Sequence, residues 1–146
     1  MAEAENIFVY IDGVWDLFHP SHLKFISSVR SHAANELHVE KNKIKIVAGV
    51  VSDKDVMSYK RVPIMNEDQR ARMLEACSYV DVVVRNSPLV IPKDLLQAFN
   101  ISLVYHGNDS KQEEFFKVAI DLGIMRYVKY DDEVSTTKLI AKIQKM

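Results

Sequence analysis

The residues best suited to chemistry crowd near the start of the chain. His19-Pro20-Ser21-His22 follows an apolar run that ends in Asp12-Gly13. Two histidines three apart lie about one turn apart on one face of a helix. Pro20 suits the first helical turn. A helix start presents free backbone N–H groups and a positive dipole end, an anion site in waiting. There two imidazoles can donate hydrogen bonds to a polyphosphate and stabilise charge on a transferring phosphoryl group. Gly13 would let the backbone approach a nucleotide closely. Taken alone, the histidine pair also fits surface histidines or half of a metal site. Metal is the weaker option, because Cys77 is distant and no third histidine stands at a ligand spacing. Neither GxxxxGK[ST] nor GxGxxG occurs, so neither standard glycine-rich phosphate loop is present.

The elements that must position these groups follow from apolar patterning. Ile7–Ile11, Ile44–Val50, Val80–Val84, Leu103–His106 and Tyr127–Tyr130 are short apolar runs rich in β-branched residues, which read as strands buried on both faces. Helical spacing marks Ser21–His32, Asn66–Ala76, Pro92–Phe99, Glu113–Leu122 and Ser135–Ile143. Asn66 is a fitting N-cap and Gly123 a fitting stop. The alternation of strand and helix predicts an α/β fold: a single doubly wound, Rossmann-like domain over residues 1–146 with a five-stranded parallel sheet. Ligands of such sheets sit at the carboxyl ends of the strands, near the switch in strand order.

Composition sets the outer bounds. The 146 residues suffice for one domain, and 48% hydrophobic with 27% charged residues is an ordinary globular mixture. A formal charge of −1 gives no electrostatic reason to expect nucleic acid or an anionic membrane as partner. The lone Cys77 precludes an intrachain disulfide and reads as a buried structural thiol. The start lacks a signal-peptide layout, and no apolar run is long enough to span a bilayer. The expected location is cytoplasmic.

Asp12-Gly-Val-Trp-Asp-Leu-Phe-His-Pro-Ser-His22 resembles the DGxFDLFHxGH signature of the cytidylyltransferases, a branch of the HxGH nucleotidylyltransferases. The likeness continues in order. Ala48-Gly-Val-Val-Ser-Asp53 resembles VGVxSD, and Tyr59-Lys60 stands at YKG. Pro63-Ile-Met-Asn-Glu-Asp-Gln-Arg70 resembles xxMNExER. Tyr79-Val-Asp-Val-Val-Val-Arg-Asn-Ser-Pro88 resembles RYVDEVVxNAP. His106-Gly-Asn-Asp109 matches an HGND of the ethanolamine-phosphate type, and Val134-Ser-Thr-Thr137 the close of xGVSTT. The resemblance implies that CTP and phosphoethanolamine, or phosphocholine, give the CDP-alcohol and pyrophosphate. It implies catalytic roles for His19, His22 and Lys60. It implies nucleotide contacts from Asp12, Gly13, Val14, Trp15, His106, Asp109, Ser135, Thr136 and Thr137, and phosphate contacts from Arg70 and Lys129. Mg²⁺ is expected with the CTP, without a dedicated metal site. A homodimer is also expected.

The departures sharpen the expectation. The HxGH glycine is Ser21, and the glycine after the motif lysine is Arg61. The phosphate-binding arginine of RTxGVSTT is replaced by Tyr130, with Asp131, Asp132 and Glu133 nearby. Leu89 replaces an aromatic that holds choline by cation–π attraction, which favours ethanolamine. A nucleotide-binding relative with little turnover is the alternative, and a Tyr130 ring in the phosphate pocket would favour it. No lipid-responsive tail follows the last helix, so no lipid regulation is expected within this chain.

Overall fold

The computed structural model describes residues 5–108, 112–131 and 133–146. Strands β1 (Ile7–Gly13), β2 (Ile44–Val51), β3 (Val82–Ser87), β4 (Ile101–Gly107) and β5 (Met125–Val128) form one sheet in the order β3-β2-β1-β4-β5. Every pairing is parallel. Side chains alternate across the sheet, so each strand feeds two cores. Val9 and Ile11 of β1 meet Phe25, Ile26, Val29 and Leu74 on one face; Tyr10 meets Ile91, Leu96, Val104 and Phe116 on the other. Helices α1 (Pro20–Leu37) and α3 (Glu67–Glu75) cover the first face. Helices α4 (Lys93–Ala98) and α5 (Lys117–Asp121) cover the second. Short α2 (Asp53–Met57) and terminal α6 (Thr136–Gln144) flank the carboxyl ends of the strands. The doubly wound five-stranded sheet expected from sequence is the one observed.

Local sequence explains the boundaries. Asn66 and Gln69 cap α3 reciprocally, the Asn66 side chain accepting from Gln69 N at 2.9 Å and the Gln69 side chain from Asn66 N at 3.0 Å. Helix α1 runs past His32 because Ala33 and Ala34 continue its buried face, and His38 ends it at φ 55°. Strand β3 begins later than its apolar run, because Asp81 meets Ile46 through both its backbone N–H and its carboxylate. Strand β5 is shifted toward the N-terminus. Lys129 and Tyr130 leave the ladder, and the Tyr130 ring packs on Phe25 at 5.7 Å. The helix expected at Glu113–Leu122 is broken at Phe116, which buries its ring between a 3₁₀ turn (Glu113–Phe115) and α5. Helix α2 was not foreseen; Ser52 caps it by accepting from Asp55 N at 3.2 Å. Cys77 is partly exposed rather than buried, because α3 stops before it.

Candidate active site

The strand order reverses between β1 and β4, which part company at their carboxyl ends. Asp12-Gly13 closes β1 and His106-Gly107 closes β4, and all four line a cavity of about 560 Å³, a size that suits a small ligand. The loop from Val14 to Phe18 forms its floor, and two of its residues hold left-handed backbone, Trp15 at φ 59° and Leu17 at φ 48°. Such conformations are costly outside glycine and persist where surroundings fix them. Here the fixing is explicit. Trp15 Nε1 donates to Gly49 O at 2.9 Å. The Asp16 carboxylate accepts the N–H groups of Ile64 and Met65 at 2.8 and 2.9 Å. Arg70 Nη1 donates to Val14 O at 2.7 Å and Val51 O at 2.9 Å. Two glycines make the close packing possible. A Cβ on Gly13 would stand 3.0 Å from the Trp15 indole, and one on Gly49 would stand 2.2 Å from the Tyr10 hydroxyl. The missing Cβ of Gly13 therefore serves Trp15 as well as the cavity.

On this floor His19 caps α1 and His22 lies one turn in. Their rings stack at 3.7 Å, Phe18 stacks on His22 at 5.3 Å, and Trp15 meets it edge-on at 5.5 Å. Burial among these rings, with smaller contributions from His19 and Lys60, pushes His22 down to about 3; burial also lowers His19. Both imidazoles are thus neutral at pH 7. His22 Nδ1 accepts the backbone N–H of His19 at 3.1 Å, which leaves the ring proton on Nε2. Burial drives Asp12 the opposite way, up to about 7, against the pull of its own backbone N–H and of Lys60. Burial thus moves an imidazole and a carboxyl of one cavity in opposite directions.

The opposite wall comes from α6 and the segment before it. Ser135 caps α6, its hydroxyl accepting from Lys138 N at 3.1 Å. The Thr136 hydroxyl donates to Asp16 O at 2.8 Å, and Arg61 Nη1 donates to the Thr137 hydroxyl at 3.3 Å. Ser21 Oγ accepts Val134 N–H at 3.1 Å, and Lys24 forms an ion pair with Asp131. Asp131 thus turns to α1 rather than to the cavity, while Tyr130 lines the cavity.

The structure brings together Asp12, Gly13, Val14, Trp15, His19, His22, Lys60, His106, Ser135, Thr136 and Thr137 around one cavity. Asp109 and Asp132 lie outside the described residues. Two expected phosphate ligands are corrected. Arg70 is fully buried, and its guanidinium is consumed by Val14 O, Val51 O, Met65 O and the Asp53 carboxylate, the last at 2.6 Å. It is a clamp on the site loop. Lys129 is exposed and does not line the cavity. Leu89 is not among the residues that line the cavity. Sequence reasoning missed Asp16, Phe25, Val56, Arg61 and Gln112 as lining residues. Asp16 had a signal, since it stands inside the histidine motif. Among the described residues no group of three or more His, Cys, Asp or Glu could hold a metal ion, and no helix is long and apolar enough to cross a membrane.

Fold and site together define a class: a doubly wound α/β protein with a paired-histidine cavity at its topological switch point. The family described as cytidylyltransferase-like matches residues 10–143. A probable ethanolamine-phosphate cytidylyltransferase of Encephalitozoon cuniculi is 31% identical over 98% of this chain and 42% of its own length. The ethanolamine-phosphate cytidylyltransferase of Arabidopsis thaliana is 30% identical over 92% of this chain and 32% of its own. Choline-phosphate cytidylyltransferase A of Mus musculus is 28% identical over 92% and 36%. The chain thus spans less than half the length of these curated relatives. In fold it is similar to a lipopolysaccharide core biosynthesis protein of Thermoplasma volcanium, with a TM-score of 0.60 at 20% identity over 86% of this chain and 98% of that one. The chain belongs to the cytidylyltransferase-like family.

Proposed function

We propose that this chain transfers a cytidylyl group from CTP to phosphoethanolamine. An oxygen of the acceptor phosphate attacks the α-phosphorus in line, the bond from that phosphorus to the bridging oxygen breaks, and the electron pair leaves with pyrophosphate. In such transfers a protein positions anions and neutralises developing charge. The observation that carries the reading is His22. Its Nδ1 is occupied by His19 N–H, so the neutral ring keeps its proton on Nε2 and can donate it within a cavity that also holds Lys60. Incoming phosphate raises the affinity of both imidazoles for a proton and strengthens that bond. Mg²⁺ would offset charge on the bound triphosphate, and Asp12, whose proton burial retains, would release it as a cation nears the cavity. His106 and Gly107 at the end of β4 support ethanolamine as the acceptor, since they open the HGND stretch and line the cavity.

A second reading, nucleotide binding with little turnover, draws on Tyr130, whose ring stands in the cavity wall. The two separate on pyrophosphate release from CTP and Mg²⁺ with phosphoethanolamine or phosphocholine, beside His22→Ala. Release with phosphoethanolamine is expected, falling about 10²- to 10³-fold in the variant as for loss of a transition-state donor. Release with phosphocholine alone would reassign the acceptor. Tight CTP binding with no release would favour the second reading.

A further inference from the structure

A nucleoside triphosphate brings several negative charges into a cavity with few fixed positive ones. Among the described lining residues, Lys60 and Arg61 carry permanent positive charge. His19 and His22 are held neutral by burial. These two consecutive cations face different parts of the cavity. The charge of Lys60 is felt by Asp12 and His22, on the β1 side. Arg61 instead reaches the first turn of α6, where its Nη1 meets the Thr137 hydroxyl. A guanidinium to a neutral hydroxyl at 3.3 Å is a long, weak bond, and it leaves most of the five N–H donors uncommitted. No carboxylate among the described residues forms an ion pair with Arg61.

The neighbouring groups add no permanent positive charge on this side. Thr136 donates its hydroxyl proton to Asp16 O, and the Ser135 hydroxyl, which accepts Lys138 N–H, offers a phosphate only a neutral donor. Tyr130 packs on Phe25. Arg70 is sealed in the core and Lys129 is outside the cavity.

We propose that Arg61 is the terminal-phosphate residue of this site: its guanidinium grips the β- and γ-phosphates across the first turn of α6, while Lys60 serves the reacting α-phosphate. The inference rests on the nucleoside-triphosphate reading above and adds a division of labour between adjacent cations. A planar fork suits a phosphate in two-point contact, as a lysine ammonium does not.

Calorimetric titration of the full chain with CTP, CDP, CMP and inorganic tripolyphosphate tests this, for the parent protein, Arg61→Gln and Arg61→Lys. Arg61→Gln is expected to weaken CTP and tripolyphosphate by on the order of 10- to 100-fold, CDP by less, and CMP not at all. Arg61→Lys should fall between. Unliganded melting temperatures should match, since the side chain is exposed. An unchanged ratio of CTP to CMP affinity in Arg61→Gln would overturn the assignment. So would an equal loss for every ligand with a lowered melting temperature, which would mark a structural residue. Arg61-dependent tripolyphosphate binding without CTP preference or pyrophosphate release would sink the cytidylyl-transfer reading and leave this one standing. A parent protein that binds neither CTP nor tripolyphosphate would overturn both.

Discussion

On the β1 side of the cavity, Arg70, Trp15 and Asp16 hold the floor through bonds of 2.7–2.9 Å from largely buried side chains. On the α6 side, the segment from Tyr130 to Thr137 is tied down by an exposed ion pair, one serine, one threonine and the long contact from Arg61. The β1 wall ties its loop down with buried side chains, and so holds the two histidines in one geometry. The α6 wall keeps its charge near solvent. On the proposed reading, the contrast would put preorganisation on one side and adaptable anion binding on the other. It also predicts that substitutions in the first wall act on folding and those in the second on ligand.

Arg70→Met tests the rigidity of the β1 wall most severely. The change strands three carbonyls and the Asp53 carboxylate. Loss of one partner from a buried charged network costs about 3–5 kcal/mol, a fall in melting temperature on the order of 10 °C for a chain of this size. A melt that barely moves would mean that the β1 wall is no more rigid than the α6 wall. Arg61→Gln is the matched control: an arginine nine positions earlier with no expected effect on the melt.

A second test uses pH. Asp12 is raised to about 7 by burial, so in the fold it keeps a proton that the unfolded chain has lost above about 4. It therefore lowers stability as pH rises between about 4 and 7. His22 is lowered to about 3 by burial, so the unfolded chain binds a proton that the fold does not below about 6.5. It raises stability as pH rises between about 3 and 6.5, and His19, also lowered by burial, adds to that slope. Between about 4 and 6.5 the two effects oppose. Relative to the parent protein, Asp12→Asn should gain stability with rising pH in that window, and His22→Asn should lose it. Thermal melts at half-unit steps would read the crossing. Variants that run parallel to the parent would place both side chains in water-like surroundings and remove the special character of the first wall.

Each wall was legible in part: the histidine motif marked the first, and Ser135, Thr136 and Thr137 marked the second, and these residues line the cavity. The apolar runs and Asn66 announced the strands and α3, and the histidine motif announced the floor, because those signals are local. The role of Arg70 was hidden: its partners Val14, Val51 and Asp53 are 17 to 56 residues away, and a surface-like helix pattern conceals a buried guanidinium. The two lysines fared differently for the same reason. Lys60 follows α2 and lines the cavity with Asp12 and Gly13, whereas Lys129 leaves the sheet one residue beyond β5 and is exposed. Helix α6 was visible as an amphipathic run, but its contact with Arg61 depends on how a loop 76 residues upstream is laid.

The gentlest test stays within the second wall. Ser21, where the family pattern has glycine, accepts Val134 N–H from within α1, while Lys24 meets Asp131 nearer solvent. Ser21→Ala removes a part-buried acceptor and should cost about 1 kcal/mol, with a weaker apparent affinity for CTP because the start of α6 loses a tether. Lys24→Ala removes an exposed pair, which water and salt already weaken. It should leave the melt unchanged and alter CTP affinity only at low ionic strength. The order of the two effects carries the argument. If Lys24→Ala proves the more damaging at physiological salt, then charge rather than the serine hydroxyl seats the second wall, and its adaptability has been placed in the wrong bond.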